Sequence, residues 1–339
     1  MLSERNRKVL CAVVQSYINK PDPVGSRFVT KKYAFNLSPA TIRNIMADLE
    51  EMGFLSQPHT SAGRIPTDKG YRFYVDSLCR EKPTVDAKFS NILKSKLESI
   101  KSDIYTLLKE ATETLAAMSH YLVFAVPLKT DSTTLNRIQL FRYRNKQTVA
   151  VLLTNEGLVR SKMLDTNFGL SQKDLNRISD YLNSEFSGCT IDEIRSALIK
   201  QMSKEKALCD ILISKAIAIC KEALFFPSTD LIVSGFSELI GLPDFSGRIK
   251  EIAKAIEDKH TILKLLDRLS ASTDGVKVVI GSENPMEELK KLSIVMATYK
   301  QGDRSLGSVG VIGPTRMDYS KTIPMVELTA KSISAVISR

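Results

Sequence analysis

The stretch Ser38-Pro-Ala-Thr-Ile-Arg-Asn-Ile-Met-Ala-Asp-Leu-Glu-Glu-Met-Gly53 holds the start, the stop and both faces of one helix. Ser38 is a good N-cap, and Pro39 at the first helical position loses nothing by lacking an N–H. Gly53 ends the helix. Ile42, Ile45, Met46, Leu49 and Met52 recur at steps of three and four, so they form an apolar stripe that must face a core. The other face carries Ala40, Asn44, Ala47 and Glu51, flanked by Thr41 and Arg43. Those side chains suit the major groove of duplex DNA. Asn bonds an adenine edge in two places, Arg a guanine edge, and Ala or the Thr methyl meets a thymine methyl. Glu51, at the far end, would point away from phosphates or read a cytosine.

Upstream, Ser3 to Asn19 places Val9, Leu10, Val13, Val14 and Ile18 at helical spacing, stopped by Pro21 and Pro23. Gly25-Ser26 opens a shorter segment toward Phe35, and Asn36-Leu37 makes the tight turn into the Ser38 helix. This is a helix-turn-helix plan with one preceding helix. Beyond Gly53, Phe54 to Gln57 is a strand candidate and Arg64-Ile65-Pro66 its returning partner, with the loop Pro58 to Gly63 as the tip of a wing. Small helical domains that bind protein share the helix-turn-helix pattern. The adjoining wing favours nucleic acid.

The run from Ser38 to Asp76 includes Ala-Thr-Ile-Arg-Asn, Met-Ala-Asp-Leu-Glu, Gly-Phe-Leu, Pro-His-Thr-Ser-Ala-Gly-Arg, Pro-Thr and Gly-Tyr-Arg-Phe-Tyr-Val-Asp. In these motifs the chain resembles the bacterial heat-inducible transcription repressor family HrcA. The likeness extends more loosely to the whole chain, including Gly302-Asp-Arg-Ser-Leu-Gly-Ser-Val-Gly-Val-Ile-Gly-Pro314. The resemblance implies a homodimeric repressor that binds double-stranded DNA at an inverted repeat upstream of chaperone operons. It also implies dependence on the GroEL chaperonin, and a GAF-like domain interrupted by a dimerising insert.

Composition fits a phosphate-facing module on a less basic body. Of the net charge of +10, residues 1–80 hold 12 Lys and Arg against 7 Asp and Glu, and the other 259 hold 36 against 31. Charge density is therefore about threefold higher at the N-terminus, where it can displace counterions from duplex DNA. No run of 18 residues lacks a charge, and Met1 to Lys8 has no apolar signal core, so a cytoplasmic protein without a membrane span is expected. Cys11, Cys79, Cys189, Cys209 and Cys220 lack paired metal or redox spacing, and His59, His120 and His260 are isolated. Reduced core thiols are expected, and no metal or cofactor.

Farther along, Thr67 can cap a helix through Leu78, which Pro83 breaks. From Phe89 to Met118 an apolar seam runs close to a heptad, enough for roughly 45 Å of helix. It reads either as a coil joining the DNA module to the rest or as a helix covering the sheet that follows. Tyr121 to Val126, Arg137 to Tyr143, Thr148 to Leu153 and Leu158 to Leu164 read as antiparallel hairpins of that sheet, with Gly157 in a loop. Helical stripes then cover Leu175 to Phe186, Ile191 to Met202, Leu208 to Phe226 and Ile249 to Leu269, with Leu231 to Ser234 as a short strand candidate. Leu208 to Phe226 is apolar on most sides, so it is either deeply buried or a subunit interface. Strand signals return at Val276 to Ile280, Ser293 to Tyr299 and Leu306 to Ile312, and a last helix starts near Pro324.

The expected fold is α+β. A winged helix-turn-helix occupies 1–82 and a GAF-like domain 83–170 and 271–339, with a mainly helical dimerisation insert at 171–270. Gly307 to Gly313 has the wrong spacing for a phosphate loop, and no Gly-x-Ser-x-Gly or His-Glu-x-x-His occurs, so nothing nominates an enzyme. Glu50-Glu51 and Glu287-Glu288 fit solvated helix faces. Arg43 and Asn44 are the expected base readers, with Thr41, Ala40 and Ala47 beside them. Lys31, Lys32, Thr60, Ser61 and Arg64 are the expected phosphate contacts. Two rivals stand: a small-molecule sensor in the GAF-like domain, and an enzyme or scaffold that uses the winged helix as a tether.

Overall fold

Ser3 opens the first helix by accepting the Asn6 N–H at 3.2 Å, and Pro21 follows its last residues. This helix, α1 (Glu4–Asn19), buries Val9, Leu10, Val13 and Val14. The computed structural model describes residues 2–60, 62–81, 84–98, 100, 104–126, 134–144, 147–155, 159–165, 170–191, 193–194, 196–197, 231–237, 275–302 and 304–338. After α1 come α2 (Ser26–Lys32) and α3 (Pro39–Glu51), separated by Asn36 in the left-handed region at φ 51°. Strands β1 (Leu55–Ser56) and β2 (Ile65–Pro66) pair antiparallel, and α4 (Asp68–Glu81) leads away from them. Thr67 caps α4 as expected, its hydroxyl accepting the Gly70 N–H at 3.2 Å.

The seam expected to make one long helix instead makes two, α5 (Ala87–Glu98) and α6 (Ile104–Ser119). Lys96 and Glu110 lie 3.6 Å apart. In a continuous helix, residues that far apart in sequence would stand about 21 Å from one another, so the chain has folded back. Of the two readings, the covering helix is the one that forms, but as a hairpin. Leu93, Leu97, Leu107, Leu108, Ala111 and Leu115 of these two helices are buried in one core with the sheet behind them.

That sheet takes the order β7 (Ile232–Ser234), β3 (Leu122–Val126), β10 (Arg304–Pro314), β9 (Leu292–Gln301), β8 (Val276–Ile280). All neighbours are antiparallel. Both faces are buried, and the strand period of two sorts them. Val123, Ala125, Val295, Ala297, Val309 and Val311 face the helices, while Leu122, Phe124, Ile294, Met296 and Ile312 face a second apolar cluster. The β9–β10 hairpin turns at Gly302, whose φ of 59° suits glycine. Gly310 sits in the middle of β10, where an added Cβ would lie 2.6 Å from the Phe124 ring and from the Val295 carbonyl oxygen. The glycines of this segment therefore serve close packing within a strand. The last helix, α8 (Tyr319–Ile337), starts five residues before the expected Pro324, which it carries inside. Near the N-terminus the missing Pro324 N–H forfeits one bond, and the buried ring packs in return. Burial pushes the Tyr299 and Tyr319 hydroxyls well above the ordinary tyrosine range.

The next three strands after β3 do not join this sheet, contrary to the expectation of one set of hairpins. β4 (Leu135–Arg144), β5 (Gln147–Thr154) and β6 (Val159–Asp165) form a separate antiparallel sheet in that order. Its core of Ile138, Leu140, Ala150, Leu152 and Leu164 is completed by Leu175, Ile178, Leu182 and Phe186 of α7 (Gln172–Phe186). α7 also closes the open edge of β4. Gln172, Ser179 and Asn183 accept the N–H groups of Arg142, Leu140 and Ile138 at 2.8–3.1 Å, and Gln172 and Asn183 donate back to the carbonyls of Leu140 and Ile138. An edge strand without such partners is a template for unwanted pairing. Strand β7 falls inside the segment expected to be helical insert, yet it pairs with β3. The expected helices 208–226 and 249–269, most of 191–202, and the Gly157 loop lie outside the described residues. Cys11 and Cys189 are half-buried thiols and Cys79 is exposed rather than in the core; Cys209 and Cys220 lie outside the described residues.

Candidate nucleic-acid interface

Four of the expected reading residues share one exposed face of α3. Ile42, Ile45, Met46 and Leu49 are buried against the rest of the N-terminal unit, which leaves Ala40, Thr41, Arg43 and Asn44 exposed and Ala47 half-buried. Met52 departs from the stripe: as C-cap it is 44% exposed. Both ends of α3 are tied down. Ser38 Oγ accepts the Thr41 N–H at 3.1 Å and lies 2.9 Å from the Thr41 hydroxyl, which turns Thr41 partly toward the cap. At the other end Gly53 takes φ 77°, and Lys69 from α4 donates to the Met52 carbonyl at 2.8 Å while its ammonium lies 4.5 Å from the Phe54 ring centre. A cation there answers the negative end of the helix dipole. Thr67 Oγ1 adds a bond to the Gly53 carbonyl at 2.7 Å.

The wing is braced from two sides. Val24 and Arg64 exchange backbone hydrogen bonds of 2.9 Å, which adds the segment before α2 to the β1–β2 pair. Gly63 permits this approach, since a Cβ there would run into the Val24 carbonyl. Gln57 Nε2 donates to the carbonyls of Thr60 and Ala62 at 3.0 and 2.9 Å, holding the loop from within. Thr60 is exposed at the tip, and Ser61 lies outside the described residues.

Arg64, an expected phosphate contact, also meets an acid of the module itself. Its Nε is 2.8 Å from Glu50 Oε2, its side chain is only 19% exposed, and Glu50 comes from the last turn of α3. The pair lacks the alignment of a hydrogen bond, because Nε finds no directed acceptor, but it ties wing to helix by charge. Nothing local in the sequence marks a partner fourteen residues away. Lys31 and Lys32 are exposed on α2, with the Lys32 ammonium 5.5 Å from both the Phe28 and Tyr33 rings. Arg27 and Phe28, which lie outside the expected contacts, are also exposed on α2, Phe28 at 48%. Their spacing was the available signal: Arg27 and Lys31, like Phe28 and Lys32, are four apart and share a helix face. Among the described residues, no group of three His, Cys, Asp or Glu is placed to hold a metal, and no helix is long and apolar enough to cross a membrane.

A capped helix with an exposed polar face and a braced wing beside it defines a winged helix-turn-helix DNA-binding domain. The family model described as "Winged helix-turn-helix transcription repressor, HrcA DNA-binding" matches residues 1–77, and "HrcA protein C terminal domain" matches residues 105–323. The chain belongs to the HrcA family. The heat-inducible transcription repressor HrcA of Thermodesulfovibrio yellowstonii is 45% identical over the whole of this chain and 99% of its own length. That of Geobacter sulfurreducens is 37% identical over 99% of this chain and 98% of its own. A solved structure described as a hypothetical protein at 2.2 Å resolution is 26% identical, covers all of this chain with 99% of its own, and superposes with a TM-score of 0.68. The chain is thus a heat-inducible transcription repressor with a DNA-binding domain, and not an enzyme.

The Glu50–Arg64 contact can be measured apart from DNA binding. A double-mutant cycle on Glu50→Gln and Arg64→Met is expected to give a stability coupling of about 0.5 to 1 kcal/mol. Zero coupling in denaturant melts, with a loss of DNA affinity from Arg64→Met alone, would return Arg64 to the phosphate contacts.

Proposed function

We propose that the chain acts in the cytoplasm as a homodimer that represses heat-shock chaperone operons by reading an inverted-repeat operator, with activity modulated by heat and by the GroEL chaperonin. The observation that carries the DNA reading is the exposed α3 face, where Arg43 and Asn44 stand free of the core with Ala40, Thr41 and Ala47 around them. Arg43 and Asn44 read bases, and Lys31, Lys32, Thr60 and Ser61 hold phosphates. Arg64 acts first as a brace of the wing, given its pairing with Glu50. Inverted repeats call for a two-fold reader. Asn44→Ala is expected to cost roughly 1 to 3 kcal/mol and relax preference at one operator position. Lys32→Ala is expected to weaken all sequences alike and flatten the salt dependence. Uniform loss from both variants in a mobility-shift titration would remove this division of roles.

The body is read as a GAF-like domain with a dimerising insert. The separate β4–β6 sheet and the pairing of β7 with β3 support an insert that begins after Val126 and returns before Ile232, earlier at both ends than 171–270. The face of that sheet away from α7 supports pairing of two copies. Phe141, Val149 and Met163 stand in register across it, as do Leu153 and Val159, and Phe141, Tyr143, Val159 and Met163 are 46–56% exposed. An apolar row of this kind is costly to leave in water. Phe141→Glu with Met163→Glu is expected to shift the chain from dimer to monomer in light scattering, and a dimer that survives both would send the interface elsewhere.

Heat and chaperonin control rest on the family resemblance. DNA binding is expected to decay after pre-warming and to recover when GroEL and ATP are added. Equal binding in all arms would remove that part of the reading.

A further inference from the structure

α4 belongs to two bodies at once. Through Lys69 and the preceding Thr67 it holds the end of α3, and through Asp68 and Arg72 it is bonded to the short turn Gly281–Glu283 that follows β8. Asp68 Oδ2 accepts the Ser282 N–H at 2.8 Å. Gly281, at φ 49°, lies so close that an added Cβ would sit 2.5 Å from the Asp68 carboxylate oxygens. Arg72 donates from Nε to Glu283 Oε1 and from Nη2 to the Val278 carbonyl, each at 2.7 Å, and Nη2 also bonds Glu283 Oε2. Glu283 is steadied in turn by the Ile280 N–H at 2.9 Å. Asp76, one turn along, flanks the guanidinium at 3.6 Å. Beneath these contacts the buried rings of Tyr71 and Tyr319 lie 6.1 Å apart, with the Tyr319 hydroxyl 2.6 Å from Ser293 Oγ.

The physical character of the contacts decides what they can do. Apolar packing such as that of the two tyrosines is non-directional and tolerates a slide, whereas a bidentate guanidinium–carboxylate fork fixes orientation as well as distance. Asp68 and Arg72 are one helical turn apart and grip the same turn with opposite charge, an acid on a backbone amide and a base on a side-chain acid. Together they resist both rotation of α4 about its axis and translation along it.

We infer that Asp68 and Arg72 are positioning residues which, through Ser282 and Glu283, set the angle of α3 on the body and thereby select the spacing between operator half-sites. The inference rests on the two-fold reading above. When two bodies pair, the separation and phase of the two α3 helices follow from how each is held by its own α4. Half-sites on one face of the duplex repeat every 10–10.5 base pairs, so a small rotation at this latch changes which spacing both helices can reach.

The test uses the full chain and an operator duplex selected by it from a randomised library, rebuilt with its half-sites moved apart by one to five base pairs. Wild type is expected to lose about tenfold or more in affinity at five added pairs, half a helical turn, because simultaneous engagement is lost. Arg72→Ala, Arg72→Lys and Glu283→Gln are expected to vary by at most about threefold across the series, with single half-site affinity unchanged. Arg72→Lys keeps the charge but loses the fork, so its flattened profile separates orientation from attraction. If Arg72→Ala melts too low to assay, Gly281→Ala crowds Asp68 from the opposite body and is expected to flatten the profile without touching the reading domain. A wild-type spacing profile in the folded variants overturns the inference, and so does tighter binding by them at the native spacing, which would mean that the latch holds the reader away from DNA. Selection of a site with no inverted repeat by wild type would bring down the two-fold reading itself.

Discussion

The apolar seam that buries Tyr71, Tyr74 and Val75 of α4 is the constraint on which the described chain depends. These residues belong to one continuous cluster that begins with Val9 and Val13 in α1, passes Ile42 and Leu49 of α3, and ends with Val326 and Ile333 of α8. A reading head on a loose tether would leave α4 half wet. Here its inner face is covered from both sides, so water is excluded from the junction as well as from the two domains. That gives the polar contacts at the rim a dry base to work from. The charged groups then contribute direction, and the packing contributes most of the adhesion.

What could be read from the sequence was whatever depends on neighbours. Ser38 and Pro39, the stripe from Ile42 to Leu49, Gly53 and the cap at Thr67 are local signals, and α3, the wing and α4 stand where those signals put them. Met52 failed because periodicity alone does not say where a helix ends, and a residue at the C-cap has turned off the stripe. The seam from Phe89 to Met118 misled for a related reason. Two antiparallel helices facing one core keep the same spacing as one long helix, and only the fold-back that brings Lys96 to Glu110 tells them apart.

Partnerships across distance were not legible. Alternation marks β4, β5 and β6 as strands but is silent on which sheet they join, and the pairing of β7 with β3 spans about a hundred residues. In the candidate site the same limit separates Arg43 and Asn44 from Arg64. The first two sit on a helix whose buried face is written in the sequence, so their exposure follows by geometry. Arg64 is a cation just ahead of a strand, and its fate depends on Glu50 lying opposite.

The closed edge of β4 has a consequence for how the molecule comes apart. The three-stranded sheet and α7 have their own core, and the polar groups of Gln172, Ser179 and Asn183 spend their hydrogen bonds inside that unit. Such a unit can open as a separate foldon, exchanging its amide hydrogens while the amides of α1, α3 and β10 stay protected. An opening of this kind would release the β4 edge and uncover Ile138, Leu140, Leu152 and Leu164 on the face that α7 covers. Such an opening would expose apolar surface on a unit whose core is separate from the one that holds the reading helix.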